Sequence, residues 1–250
     1  MHSLVLSFLV FLGGSLCFAA DEPMCSNTSG NSALIVIDMQ RSFVESNGYY
    51  KRPGNIAIVE KLITEQKKAI KEAQAAGIPI VFFEYDDVDF GGPTEPQLTT
   101  AAMKGYRDVR VLKKTTDGMF DKKNKHLKDL KDFLQRNQIG TLIIAGANGG
   151  SCVKASIEGA LKNNCNVVTH SAGVADFNFR EFIYPYAGRL TEMKKLEKEC
   201  ESCTYKEVAS AERLADSMIN NNHRNSVGNS GGGGSPGTSS KPKNSTKTSR

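Results

Sequence analysis

From residue 33 onward the chain alternates short runs rich in β-branched and aromatic residues with amphipathic stretches, and few architectures accept that rhythm. It calls for a mainly parallel sheet whose strands are connected by helices packed on its faces. The runs read as strands over Ala33–Ile37, Ile78–Glu84, Val109–Leu112, Thr141–Ala145, Asn166–Thr169 and Thr204–Val208. Helices are expected at Asn55–Ala76, Lys125–Asn137, Ser151–Asn163, Arg180–Lys198 and Ala211–Asn220, the last with Ser210 as N-cap. In the first of these, Ile56, Val59, Leu62, Ile63, Ile70 and Ala73 recur at helical spacing, and Gly77 followed by Pro79 supplies the stop. The fold class expected is α/β: a three-layer, Rossmann-like open sheet of about six mainly parallel strands with helices on both faces.

The two ends read differently from this domain. Residues 1–19 carry an apolar run followed by small residues, the pattern of a signal peptide with cleavage after Ala19, although no Lys or Arg precedes the run. A membrane span is the alternative, with the run barely long enough to cross. A short segment, 20–32, leads into the domain at 33–220, and residues 221–250 form a Gly/Ser-rich tail that cannot bury apolar area. Its GGGGS run resembles an engineered linker as much as a natural tail. The net charge of +5 is located there, on Arg224, Lys241, Lys243, Lys247 and Arg250 with no acid, which leaves residues 1–220 neutral. A nucleic-acid partner is therefore not expected, nor a membrane partner once the leader is removed.

A secreted chain meets an oxidising environment in which idle thiols pair. Without Cys17 the cysteines number five: Cys25, Cys152, Cys165, Cys200 and Cys203. That odd count fits one free thiol and up to two bridges whose connectivity the sequence leaves open. Cys200-x-x-Cys203 also has the form of a redox pair or half a zinc site, but no second such pair accompanies it. Asn27-Thr28-Ser29 and Asn244-Ser245-Thr246 have the form of glycosylation acceptors.

Three segments carry chemistry. Leu34-Ile35-Val36-Ile37-Asp38 is a buried strand running into a carboxylate at the sheet edge where open α/β folds bind ligands, or into an Asp that caps a turn. Gly146-Ala147-Asn148-Gly149-Gly150-Ser151-Cys152 lies between a strand and a helix. It reads as an anion-binding loop, as a nucleophile elbow that favours a Cys152 thiolate, or as a loop beside an inert cysteine. Val109–Lys114 brings lysines to the same rim, where a lysine stabilises thiolate and an aspartate takes the thiol proton, unless the lysines are simply solvated.

Together these segments resemble the isochorismatase-like cysteine hydrolases, over roughly residues 33–215. The family's Asp-x-Gln is matched by Asp38-Met39-Gln40, and its Lys six residues before a Phe by Lys114 and Phe120, a spacing Lys113 does not fit. Its Gly six residues before Cys-Val is matched by Gly146 and Cys152-Val153, and a downstream Asp by Asp176. The resemblance implies that the Asp and Cys strands lie side by side and that the peptide before Asn148 is cis. It further implies that the N–H groups of Asn148 and Cys152 form an oxyanion hole. By the same resemblance Asp38, Lys114 and Cys152 are catalytic, hydrolysing a small-molecule amide, ureido or related bond through a thioester. Gln40, Phe43, Glu84, Tyr85 and Phe120 are expected to bind the substrate.

Departures from the pattern matter too. Where nicotinamidases carry Asp-x-His, this chain reads Glu84-Tyr85-Asp86-Asp87-Val88-Asp89, so no metal and no cofactor is expected. Gly118 and Met119 stand where a small polar pair usually precedes the Phe. Phe177, Phe179, Tyr184 and Tyr186 suit a substrate, a partner subunit in a homo-oligomer, or the core. A secreted binding protein that keeps the fold without turnover is the alternative function.

Overall fold

The computed structural model describes residues 23–25, 30–45, 48, 50, 53–87, 91–177, 182–186, 193, 197, 198, 200 and 203–214. The leader, both glycosylation acceptors, Asp89, Phe179 and the basic tail lie outside the described residues. A six-stranded sheet has the order β3-β2-β1-β4-β5-β8, and every neighbouring pair is parallel. Its strands are β1 (Asn31–Ile37), β2 (Ile80–Tyr85), β3 (Val109–Lys114), β4 (Ile139–Gly146), β5 (Asn166–Val174) and β8 (Tyr205–Val208). A separate antiparallel pair joins β6 (Asp176–Phe177) to β7 (Phe182–Ile183).

Strands covered on both faces read as continuous apolar runs, and successive side chains go to opposite faces. In β1, Ala33, Ile35 and Ile37 join one core cluster with Leu130, Phe133 and Leu134 of α4 (Leu127–Arg136) and Ile157, Ala160 and Leu161 of α5 (Lys154–Lys162). Leu34 and Val36 join the other cluster, with Val59, Leu62, Ile63 and Ile70 of α2 (Ile56–Ala75) and Leu98 and Ala102 of α3 (Pro96–Met103). The three layers are thus written into the period of one strand. Among the described residues no helix is long and apolar enough to cross a membrane.

α2 ends as its sequence implied. Gly77, at φ 67, donates to Gln74 O and Ile78 donates to Ala73 O, the paired bonds that close a helix on a left-handed residue. A two-turn helix the periodicity did not signal, α3, starts at Pro96 with the Glu95 carboxylate accepting from Gln97 N–H. A short turn, α1 (Arg41–Val44), follows β1.

The helix expected over Arg180–Lys198 is corrected at its start. Phe182–Ile183 is a strand paired with Asp176–Phe177, followed by a cis Tyr184–Pro185 bond, and a residue before proline disfavours the helical region. Only Ala211–Leu214 of the final expected helix is described, and it is helical.

Cys25 is bonded to Cys165 and Cys200 to Cys203, while Cys152 is a free thiol. The odd cysteine of the sequence is the one beside the candidate loop.

Candidate active site

Asp38 ends β1 at φ 52, a left-handed conformation that Asp tolerates better than most residues. Its N–H is held by Phe83 O and its side chain is buried. β1 and β4 are direct neighbours, with Ile37 opposite Gly146, so the Asp38 corner and the loop entering Cys152 leave the sheet side by side. Gly146 permits this contact. Its φ is 136, and a Cβ there would stand 2.3 Å from Ile37 O.

Lys114 reaches the same point from β3. Its ammonium, fully buried, lies 2.8 Å from Asp38 Oδ2, donates to Thr116 O at 3.1 Å, and sits 4.5 Å from the ring centre of Tyr85. Lys113, the neighbouring lysine, is exposed and pairs with Asp86. The strand's alternation therefore separates a structural surface lysine from the one at the centre.

The loop after β4 carries the cis Ala147–Asn148 peptide and one π-helical turn, Gly149–Val153, closed by Val153 N–H on Asn148 O at 3.1 Å. Its N–H groups are largely committed: Gly149 to Ala175 O, Ser151 and Val153 to Asn148 O, and Gly150 to Asp176 Oδ1 at 3.1 Å. Asn148 and Cys152, the pair expected to stabilise an oxyanion, are not among those commitments. Asn148 is fixed from β6, its Oδ1 accepting from Phe177 N–H at 2.8 Å. Tyr186 closes in from below, so that a Cβ on Gly149 would stand 2.6 Å from its ring.

Cys152 is partly buried and lies against both Asp38 and Lys114. Burial, and then the Asp38 carboxylate, push its thiol well above the ordinary range, against the pull of Lys114. Burial likewise raises the Asp38 carboxyl although Lys114 opposes it. The attraction of Asp38 and Cys152 outweighs the burial of Lys114 and keeps it charged. Burial thus works against the thiolate that a helix N-terminus would favour, beside the 2.8 Å Asp38–Lys114 pair. Asp38 Oδ1 is buried with no hydrogen-bond partner, which leaves it an acceptor with unused capacity.

The thiol also lies 3.8 Å from a second acceptor, Asp117 Oδ1, while Asp117 Oδ2 accepts from Ser151 Oγ at 2.6 Å. Asp117 was not anticipated as a site residue. The only sequence signal for it was its place between Lys114 and Phe120.

The residues expected to bind substrate divide. Tyr85 borders the centre, half-buried, and interacts with Lys114, Asp117 and Cys152. The amide of Gln40 is spent on backbone. Nε2 donates to Tyr85 O and Gly92 O, and Oε1 accepts from Tyr85 N–H, so this side chain ties β1 to β2. Glu84 Oε1 accepts from Thr94 N–H and Oγ1, anchoring the next loop. Phe43 stacks on Tyr50, which stacks on Phe177, and all are buried. Phe120 packs over Gly159 and borders a cleft of about 560 Å³ outside α5 that includes Asp117 but not Cys152. For these four the structure gives scaffold contacts. Among the described residues no three His, Cys, Asp or Glu side chains are grouped to hold a metal.

Known proteins share this arrangement at the level of fold and family. A cysteine hydrolase from Pseudomonas syringae pv. phaseolicola superposes with a TM-score of 0.56 at 15% identity, covering 76% of this chain and 93% of that one. N-carbamoylsarcosine amidase from Thermoplasma acidophilum superposes at 0.52 with 19% identity, covering 71% and 96%. Ureidoacrylate amidohydrolase RutB from Yersinia enterocolitica is 40% identical over 83 residues, 31% of this chain and 36% of that protein. The chain thus spans about a third of the length of such relatives. The family model for the isochorismatase domain matches residues 32–187, well over half of the chain, and the chain belongs to the isochorismatase family.

Proposed function

We propose that this chain is a secreted cysteine hydrolase that cleaves a small-molecule amide, ureido or related bond through a Cys152 thioester. One observation carries the reading: the only cysteine left free among the described residues stands against a buried Asp38–Lys114 ion pair whose second carboxylate oxygen has no partner. Relatives whose names specify ureidoacrylate and N-carbamoylsarcosine support the bond class. The bonded Cys25–Cys165 and Cys200–Cys203, with the apolar leader pattern, support an oxidising destination.

In this mechanism Asp38 Oδ1 takes the thiol proton as Sγ attacks the carbonyl carbon. The charge then passes from sulfur to the former carbonyl oxygen, held by the N–H groups of Asn148 and Cys152. Lys114 remains protonated and balances the centre. Collapse returns the proton from Asp38 to the departing nitrogen and leaves an acyl-sulfur bond. Asp38, again a carboxylate, takes a proton from the water that cleaves the thioester, and the thiol is restored with release of the acid.

The test pairs Cys152→Ala with a panel of primary amides and carbamoyl amino acids, followed by ammonia release. The variant should fold and lose turnover, and an acyl-enzyme mass should appear on Cys152 in the parent during rapid quench. Turnover surviving Cys152→Ala would refute the role assigned to the thiol.

A further inference from the structure

At the reactive centre the charges do not cancel. Asp38 and Lys114 neutralise one another. Several other acids on the described surface are paired: Asp86 with Lys113, Asp108 with Arg110, Asp132 with Lys128, Glu158 with Lys154. Asp117 has no such cation. It is exposed, its partners are the hydroxyl of Ser151 and the thiol of Cys152, and no ammonium or guanidinium among the described residues lies within ion-pair distance. A carboxylate 3.8 Å from a sulfur that must become an anion opposes the step that starts the reaction.

That opposition vanishes when a cation bridges the two. When Asp38 removes the thiol proton, Asp117 Oδ1 loses its hydrogen-bond donor and is left facing a thiolate. A substrate ammonium or amidinium takes up the freed oxygen and is attracted to the thiolate as well. We infer that Asp117 is a specificity-determining residue that selects substrates carrying a positive charge close to the scissile carbonyl and rejects carboxylate-bearing ones. The inference rests on the Cys152 reading above and names the substrate class for that site.

The geometry limits how far the charge can be from the bond. An ion pair brings nitrogen to about 2.8 Å from a carboxylate oxygen and a carbonyl carbon in attack position is about 3–3.5 Å from sulfur. With Oδ1 and Sγ 3.8 Å apart, the cationic nitrogen falls about two to four bonds from the carbonyl carbon. A short β-amino or γ-amino amide has those dimensions. The unpartnered, buried Asp38 Oδ1 is already assigned to the proton, so the exposed Asp117 is the carboxylate available to substrate.

The experiment uses charge-matched thiol reagents on the full chain, 2-aminoethyl and 2-sulfonatoethyl methanethiosulfonate. The Cys152 thiolate attacks the reagent's sulfenyl sulfur, a mixed disulfide forms, and methanesulfinate leaves with the electron pair. Rates on Cys152, followed by intact mass and normalised to a small neutral thiol, should favour the cationic reagent by about ten-fold or more. Asp117→Asn, which retains an oxygen for Ser151, should bring the ratio to within about two-fold while raising the rate of the anionic reagent. An absent preference in the parent, or one unchanged in Asp117→Asn, overturns the inference. Because labelling needs no turnover, the companion assay separates the two readings: β-alaninamide should be hydrolysed faster than succinamate. A charge preference in labelling without hydrolysis of any amide would refute the hydrolase reading and leave the Asp117 assignment standing. Equal hydrolysis of both amides would do the reverse.

Discussion

Replacing Lys114 by Met leaves Asp38 as a carboxylate with side-chain exposure of 2%, deprived of its ammonium at 2.8 Å. Removing one partner of a buried pair typically costs about 3–5 kcal/mol, because the remaining charge is uncompensated. The same cost appears as protonation of Asp38, since about 1.4 kcal/mol corresponds to one further unit of upward shift. The sign follows from linkage. A carboxyl whose folded pKa lies above its unfolded one contributes stability below the unfolded value, and that contribution disappears as pH rises through the folded value. The Lys114→Met deficit should therefore be largest near neutral pH and shrink on acidification. In the parent, Asp38 is already raised by burial, but Lys114, itself raised and protonated at any ordinary pH, limits the effect. With a urea m-value of about 2–3 kcal/mol/M, the midpoint should fall by about 1–2.5 M at neutral pH and clearly less at about pH 5. Equilibrium urea unfolding by tryptophan-free far-UV dichroism, with disulfides intact, measures it. Asp38→Asn combined with Lys114→Met should recover most of the loss, because no charge is then stranded. A deficit below about 1 kcal/mol, or one independent of pH, would refute the buried-pair account.

Three further outcomes are expected. Gly149→Ala places a Cβ 2.6 Å from the Tyr186 ring, so it should cost about 1–3 kcal/mol in thermal unfolding and lower turnover by displacing the loop's N–H groups. His170, wholly buried with neither ring nitrogen partnered, has its pKa lowered to about 4 by burial. Stability should therefore be full above the ordinary histidine pKa and fall as pH drops toward 4, and His170→Phe should flatten that slope in pH-dependent urea titrations. Cys165→Ser opens a bridge between residues 140 apart in sequence and should cost up to ~5 kcal/mol on the chain-entropy account, read as a lower melting temperature.

The strands and the convergence of Asp38, Lys114 and Cys152 were legible because each is local: a run of β-branched residues ending in one chemical group. Choosing Lys114 over Lys113 needed either motif spacing or strand alternation, and both give the same residue. Asp117 was illegible. Its meaning comes from Ser151 and Cys152, more than thirty positions away, and no periodicity marks a loop carboxylate. The contacts of Gln40 were not legible, since an amide's partners depend on which backbone groups β2 and the following loop leave unpaired. The misread start of the helix at Arg180–Lys198 contains Pro185, whose own restriction on Tyr184 was the available warning. α3 announced itself only through Glu95-Pro96, a start signal without a long apolar stripe behind it.

The order β3-β2-β1-β4-β5-β8 has a consequence for when the centre comes into being. The first half of the chain emerges from the ribosome with Asp38 and Lys114 but without the strand that covers β1 on its other side. That strand, β4, begins at Ile139, and the carboxylate that pins Gly150 does not arrive until Asp176. No shorter nascent chain holds a complete centre. The Cys152 thiol therefore meets Asp38 and Lys114 only once the two halves dock, and any later parting of β1 from β4 separates them before the molecule as a whole has melted.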